Sequence, residues 1–100
     1  MNDLLKWIFT KKQPYVDRVV GRCVGRFIIS TAFTIDKGYE TAIKDRNGWH
    51  PVELYTNKQR AITGHAKWVE AMPDLKQVTE LAWWIESRTL ITLKPLDHEF

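Results

Sequence analysis

Between Gly38 and Met72 two alternating segments meet at Asn47-Gly48 and run straight into a capped amphipathic pattern, which commits this stretch to strand, turn, strand and helix. Asn-Gly tolerates the positive φ that a two-residue type I′ turn demands, and the twist of that turn matches the strands it joins. With Asn47 and Gly48 central, Arg46 faces Trp49, Asp45 faces His50, Ile43 faces Val52 and Thr41 faces Leu54. Thr41, Ile43, Val52 and Leu54 then share the core side. Glu40, Ala42, Lys44, Glu53 and Tyr55 are left for solvent or a partner. Pro51 has no amide proton to give to a ladder, so the segment from Trp49 to Tyr55 reads as an edge strand.

Beyond Tyr55 the period lengthens to about 3.6 residues. Thr56 to Gln59 reads as a capping box, with the Thr56 hydroxyl accepting from the Gln59 amide and the Gln59 side chain reaching back. Ala61, Ile62, His65, Ala66, Trp68, Val69 and Met72 fall on one broad face, and Pro73 ends the helix. Gly64 in mid-helix costs about 1 kcal/mol relative to alanine. Its presence predicts a close approach between the helix backbone and the sheet.

The flanks complete the fold. Residues 1–14 form an apolar and basic arm in which Asn2 or Asp3 caps a short helix presenting Leu4, Leu5, Ile8 and Phe9. Such a helix is too short to stand alone, so its apolar side must dock on the domain, on another subunit or on a membrane surface. Residues 15–100 read as a single α+β domain. From Tyr15 to Gly25 the spacing of Val16, Val19, Val20, Cys23 and Val24 fits a helix, whereas the valines, Gly21 and Gly25 favour extended structure, which we prefer. A strand that long predicts a bend or bulge at Gly21 or Gly25. Phe27 to Ile35 is the firmer strand, turned by Asp36-Lys37-Gly38 into the hairpin to give an antiparallel meander. Behind Asp74 the spacing of Leu75, Val78, Leu81, Ala82 and Ile85 predicts a second helix, and Thr89 to Leu93 a final strand closed by Pro95. The expected fold class is therefore α+β, a small antiparallel meander with an Asn-Gly hairpin, packed with one or two helices.

Tyr39-Glu40-Thr41-Ala42, Val52-Glu53-Leu54-Tyr55 and the run from Ala61 through Gly64-His65 to Trp68-Val69 together resemble a pattern of small uncharacterised proteins of tailed bacteriophages and prophages. The resemblance covers roughly the middle third of the chain. It implies a viral origin and carries over no catalytic residue.

Composition narrows the functional classes. One cysteine, Cys23, cannot close an intramolecular disulfide, which points to a reducing compartment. No apolar run reaches the length of a membrane span, and Leu4 to Phe9 is too short for a secretory core, so the expected location is the host cytoplasm or an assembled virion. His50, His65, His98 and Cys23 lack the short spacings of a zinc motif, and the chain holds no phosphate-binding glycine loop and no nucleophile elbow. The reading is accordingly a non-enzyme without metal or cofactor. His65 reads as a core-edge histidine with a backbone or carboxylate partner, and Cys23 as a buried, inert thiol.

Two binding classes remain. Arg18, Arg22 and Arg26 recur every fourth residue, a spacing that suits one face along a phosphate backbone if all three share it beside Tyr15 and Trp7. The net charge of only +3, diluted by Glu53, Asp74 and Glu80, ranks nucleic acid second. Twelve percent aromatics favour protein contact, because tryptophan anchors interfaces. The candidate anchors are Trp7, Ile8 and Phe9 in the arm, Trp49 by the turn, and one of the adjacent pair Trp83 and Trp84. The leading expectation is a protein-interaction subunit, a virion or assembly accessory protein of head, neck or tail, self-associating or bound to other phage structural proteins. The alternatives are a nucleic-acid-binding protein and an inhibitor of a host factor.

Overall fold

A computed structural model describes residues 15–35, 38–82 and 87–98. Among them, strands β1 (Tyr15–Val24), β2 (Phe27–Thr34), β3 (Gly38–Asp45) and β4 (Gly48–Tyr55) form an antiparallel sheet in the order β1-β2-β3-β4. Helix α1 (Lys58–Ala71) follows, then a 3-10 turn at Met72–Asp74, and strands β5 (Gln77–Ala82) and β6 (Ser87–Thr92) pair as a separate two-stranded sheet. This is a small α+β fold, as the meander and the hairpin-helix pattern predict.

Tyr15 to Val24 is a strand, in line with its valines. Its irregularities lie at Val16 and Val19, where the register against β2 shifts, and not at Gly21. Gly25 has φ +60 and makes the β1–β2 turn, a conformation only glycine adopts without strain.

The hairpin loop sits one residue earlier than expected, so each β4 partner before the bulge moves by two. Asp45 pairs with Gly48, Lys44 with Trp49, Ile43 with His50 and Ala42 with Pro51, so Arg46 and Asn47 are the loop and Gly48, at φ +123, opens β4. The Asp45 carboxylate accepts from the Asn47 amide at 2.8 Å and holds that loop. One residue later the pairing slips. Thr41 pairs with Glu53, leaving Val52 as an extra residue in β4, a bulge next to the donorless Pro51.

That bulge reverses the alternation of β4. Before it, His50 and Val52 are buried, and after it Glu53 and Tyr55 turn inward toward α1 while Leu54 is 44% exposed. Leu54 therefore leaves the core side on which strict alternation puts it, and Glu53 and Tyr55 leave the solvent side. β4 is the terminal strand of its sheet, as Pro51 requires.

The cap of α1 sits at Asn57, whose side chain accepts from the Arg60 amide at 2.8 Å, one residue beyond the expected Thr56. Asn57 is the stronger cap of the two, and its extended backbone suits the position. Ala61, Gly64, His65 and Met72 are buried and Trp68 and Val69 half-buried, whereas Ile62 and Ala66 face outward, so the buried stripe is narrower than expected. The core gathers Ile29, Ile43, Val52, Met72, Val78 and Leu93, drawing on both sheets and the turn after α1.

Among the described residues no second helix follows Asp74. Gln77–Ala82 is β5, paired with β6 from Gln77 opposite Thr92 to Ala82 opposite Ser87. Val78 is buried between exposed Gln77 and Thr79, a period of two that the helical spacing of the leucines concealed. A ladder with the β-rich segment after it, and burial of Val78 in the shared core, outweigh a weak helical preference.

Candidate functional site

The inward turn of Glu53 and Tyr55 builds a polar chain from the surface into the core. Tyr55 donates to Glu53 Oε1 at 2.9 Å, and the same oxygen accepts from the Trp68 indole at 2.8 Å. Lys67 approaches the carboxylate at 3.0 Å. Behind Tyr55, its hydroxyl meets Thr41 Oγ1 at 2.9 Å, Thr41 meets Thr31 Oγ1, and Thr31 meets His65 Nδ1 at 2.8 Å.

The direction of every hydrogen in this chain follows from Glu53. A carboxylate only accepts, so the single Tyr55 proton points at Glu53 and the Tyr55 oxygen must accept from Thr41. Thr41 in turn accepts from Thr31, whose own proton is thereby used, and Thr31 accepts from His65. His65 is thus the Nδ1–H tautomer. Its Nε2 is buried with no hydrogen-bond partner, which corrects the expectation of a backbone or carboxylate partner for this residue.

Charge follows the same logic. Burial alone raises the Glu53 pKa, but hydrogen bonds from Lys67, Trp68 and Tyr55 outweigh it and hold the group below the ordinary carboxylate range. Burial, and then the adjacent Glu53 charge, push the Tyr55 phenol well above its usual value. His65 is lowered by burial and by the nearby Arg22 charge, so it is neutral at pH 7. The chain is a fixed array of dipoles aimed at one anion.

Against this array opens a cleft of about 390 Å³ between the end of β4 and the first half of α1, with Glu53, Leu54, Gln59, Arg60, Thr63 and Lys67 around it. Among the described residues the Arg60 guanidinium has no ion-pair partner, while Lys67 is paired with Glu53.

A second polar cluster joins the two sheets. Asp45 is 1% exposed and accepts from Asn47 N–H, from Lys94 N–H at 2.9 Å and from His50 Nε2 at 2.8 Å. His50 Nδ1 meets Glu80 on β5. Strict alternation places His50 opposite Asp45; the two are not register partners, yet their side chains meet.

Trp7, Ile8, Phe9, Trp83 and Trp84 lie outside the described residues. Trp49 is half-buried under the Lys44 ammonium, 5.7 Å from the ring centre. Arg22 pairs with Ile29 and Arg18 with Ala32 across a register shift, and Arg26 lies in the β1–β2 turn, where it donates to the Asp97 carbonyl at 3.3 Å. Cys23 is half-buried and its thiol pKa is raised by burial, which fits an unreactive thiol. Among the described residues no group of three or more His, Cys, Asp or Glu is arranged to hold a metal ion, and no helix is long and apolar enough to cross a membrane.

Sequence reasoning passed over Glu53, Tyr55 and Lys67. The available signal was Pro51, which forbids a regular ladder and so announces the bulge, together with the threonines at 31 and 41 in otherwise buried strand positions. No family model matches the chain, and neither does any curated protein or solved structure.

Proposed function

We propose that this chain is a non-enzymatic protein-interaction subunit, a small bacteriophage virion or assembly accessory protein that docks through the cleft between β4 and α1. The observation that carries the reading is the outward turn of Leu54. A leucine 44% exposed on a terminal strand, at the mouth of a preformed cleft, is a surface that gains by being covered. The bulge that produces this exposure also anchors Glu53 and Tyr55 rigidly, so the docking surface is preorganised and little ordering is lost on binding.

The charge of the cleft selects the partner. Glu53 is balanced by Lys67, and Arg60 is left over, so the complementary surface carries an apolar side chain for Leu54 with a carboxylate beside it for Arg60. The head, neck or tail assignment rests on the resemblance of the hairpin-helix segment to small phage proteins.

A photo-cross-linking residue at position 54, introduced in phage-producing cells, tests this. The expected product is a cross-link to an acidic, apolar segment of a virion protein that disappears with Arg60→Glu. A cross-link to a host protein transfers the reading to host interference, and recovery of no protein adduct at position 54 overturns it.

A further inference from the structure

His50 ties the β3–β4 hairpin to β5 through both of its ring nitrogens. Asp45 is fully buried and already accepts two backbone amides, from Asn47 and Lys94, so it is a carboxylate and the bond to His50 Nε2 is donated by the ring. The other ring nitrogen faces a second carboxylate, Glu80. Two acceptors cannot bond to each other, so one proton must lie between Nδ1 and Glu80. The joint is an imidazolium between two carboxylates.

The surroundings leave few other charges to act on it. Beside the ring stand Asp45 from β3 and Glu80 from β5, and from the segment after β6 the Lys94 amide reaches Asp45 rather than the ring. Arg46 in the hairpin loop turns to Asp97, 3.5 Å away, and Lys44 turns to Trp49. Removing the Nδ1 proton therefore sets a lone pair against the Glu80 carboxylate, and no cation named here is placed to offset it.

We propose that Asp45, His50 and Glu80 form a pH-gated clasp, in which loss of the shared His50 proton loosens β5 from β4 while the four-stranded sheet stays intact. Val78 and Leu93 keep the second sheet on the common core, so the opening is local. Burial lowers the His50 pKa, but the bonds to Glu80 and Asp45 outweigh it and the net direction is upward. The clasp is thus closed below the elevated value, as long as its carboxylates stay ionised, and opens as pH rises through that value. A surface strand pair that loosens in this way offers its edges to another chain once the shared proton is lost.

Hydrogen exchange on the full-length protein, corrected for intrinsic rates, tests the clasp between pH 6 and pH 9. Protection of Gln77 to Ala82 should fall by roughly tenfold for each pH unit above the His50 pKa, while protection of Ile28 to Thr31 in β2 holds. Nitrogen-15 spectra at pH 6 should show both His50 nitrogens protonated. In Glu80→Gln the step in β5 protection should vanish, because a neutral amide does not require the second proton. A neutral His50 ring at pH 6, protection in β5 that tracks β2 throughout, or a step unchanged in Glu80→Gln would each overturn the proposal.

Discussion

Gly64 and Tyr55 fit together as a missing side chain and a filled one: a Cβ on Gly64 would overlap the Tyr55 ring. The glycine that a helix ordinarily disfavours is what lets α1 lie close enough for Trp68 and Lys67 to reach Glu53. Gly64→Ala is therefore expected to destabilise the protein by about 1–3 kcal/mol, the cost of overpacking, despite the better helix propensity of alanine. Urea midpoints measure it, and the penalty should shrink when Tyr55 is first replaced by alanine. An equal penalty in both backgrounds would show that the ring is not the obstacle.

The bulge at Val52 makes a sharp contrast between neighbours two residues apart. Val52→Asp buries a charge in the common core and should cost more than about 3 kcal/mol, whereas Leu54→Asp should stay within roughly 0.5 kcal/mol of wild type. Regular alternation predicts similar damage at both sites. Matched denaturation curves for the two variants would therefore discard the bulge.

Gly48 opens β4 at φ +123, a conformation that branched side chains adopt only under strain. Gly48→Val should lower stability by more than about 1 kcal/mol. An unchanged denaturation midpoint would remove the hairpin register from the account.

The ordered hydrogens from His65 to Glu53 make a prediction about a tautomer. In wild type the carbon-13 and nitrogen-15 shifts of His65 should report a neutral ring with its proton on Nδ1. Tyr55→Phe removes the hydroxyl that fixes the direction of the two threonine protons, so the ring is free to carry its proton on Nε2. Finding the Nε2–H form already in wild type would contradict the assigned direction of the chain.

Stability should fall on the acid side for an identifiable reason. Asp45 and Glu53 both lie below their ordinary values of 3.8 and 4.5, Asp45 because the bonds from Lys94, His50 and Asn47 outweigh burial, which by itself raises it. The unfolded chain takes up these protons first, so the stabilisation is complete above pH 5 or so and is lost as pH drops through the folded values. Asp45→Ala should cost about 3 kcal/mol near neutral pH and flatten the acid limb, because the Asn47 and Lys94 amides lose their acceptor. An acid limb as steep as that of wild type in this variant would assign the transition to other carboxylates.

How much the sequence determined on its own is clearest in the hairpin and helix. Alternation from Gly38, a turn rich in Asn and Gly, a capping box starting at Thr56 and Pro73 after Met72 are local signals, and local signals placed β3, β4 and α1 to within a residue or two. Gly64 also announced its close approach correctly, because a residue that costs helix stability needs a packing reason. The facing of Leu54, Glu53 and Tyr55 was decided by tertiary structure: a single unpaired residue at Val52 inverts every side chain after it, and the sequence marks that slip only through Pro51. β5 likewise took its form from β6 and from the core that Val78 enters, where nonlocal pairing outweighed the helical spacing of Leu75, Val78 and Leu81. Both polar clusters have the same origin. Asp45 and Glu80, or Thr31 and His65, lie more than thirty positions apart, and nothing in a one-dimensional pattern relates them until the sheet and helix bring them within hydrogen-bond reach.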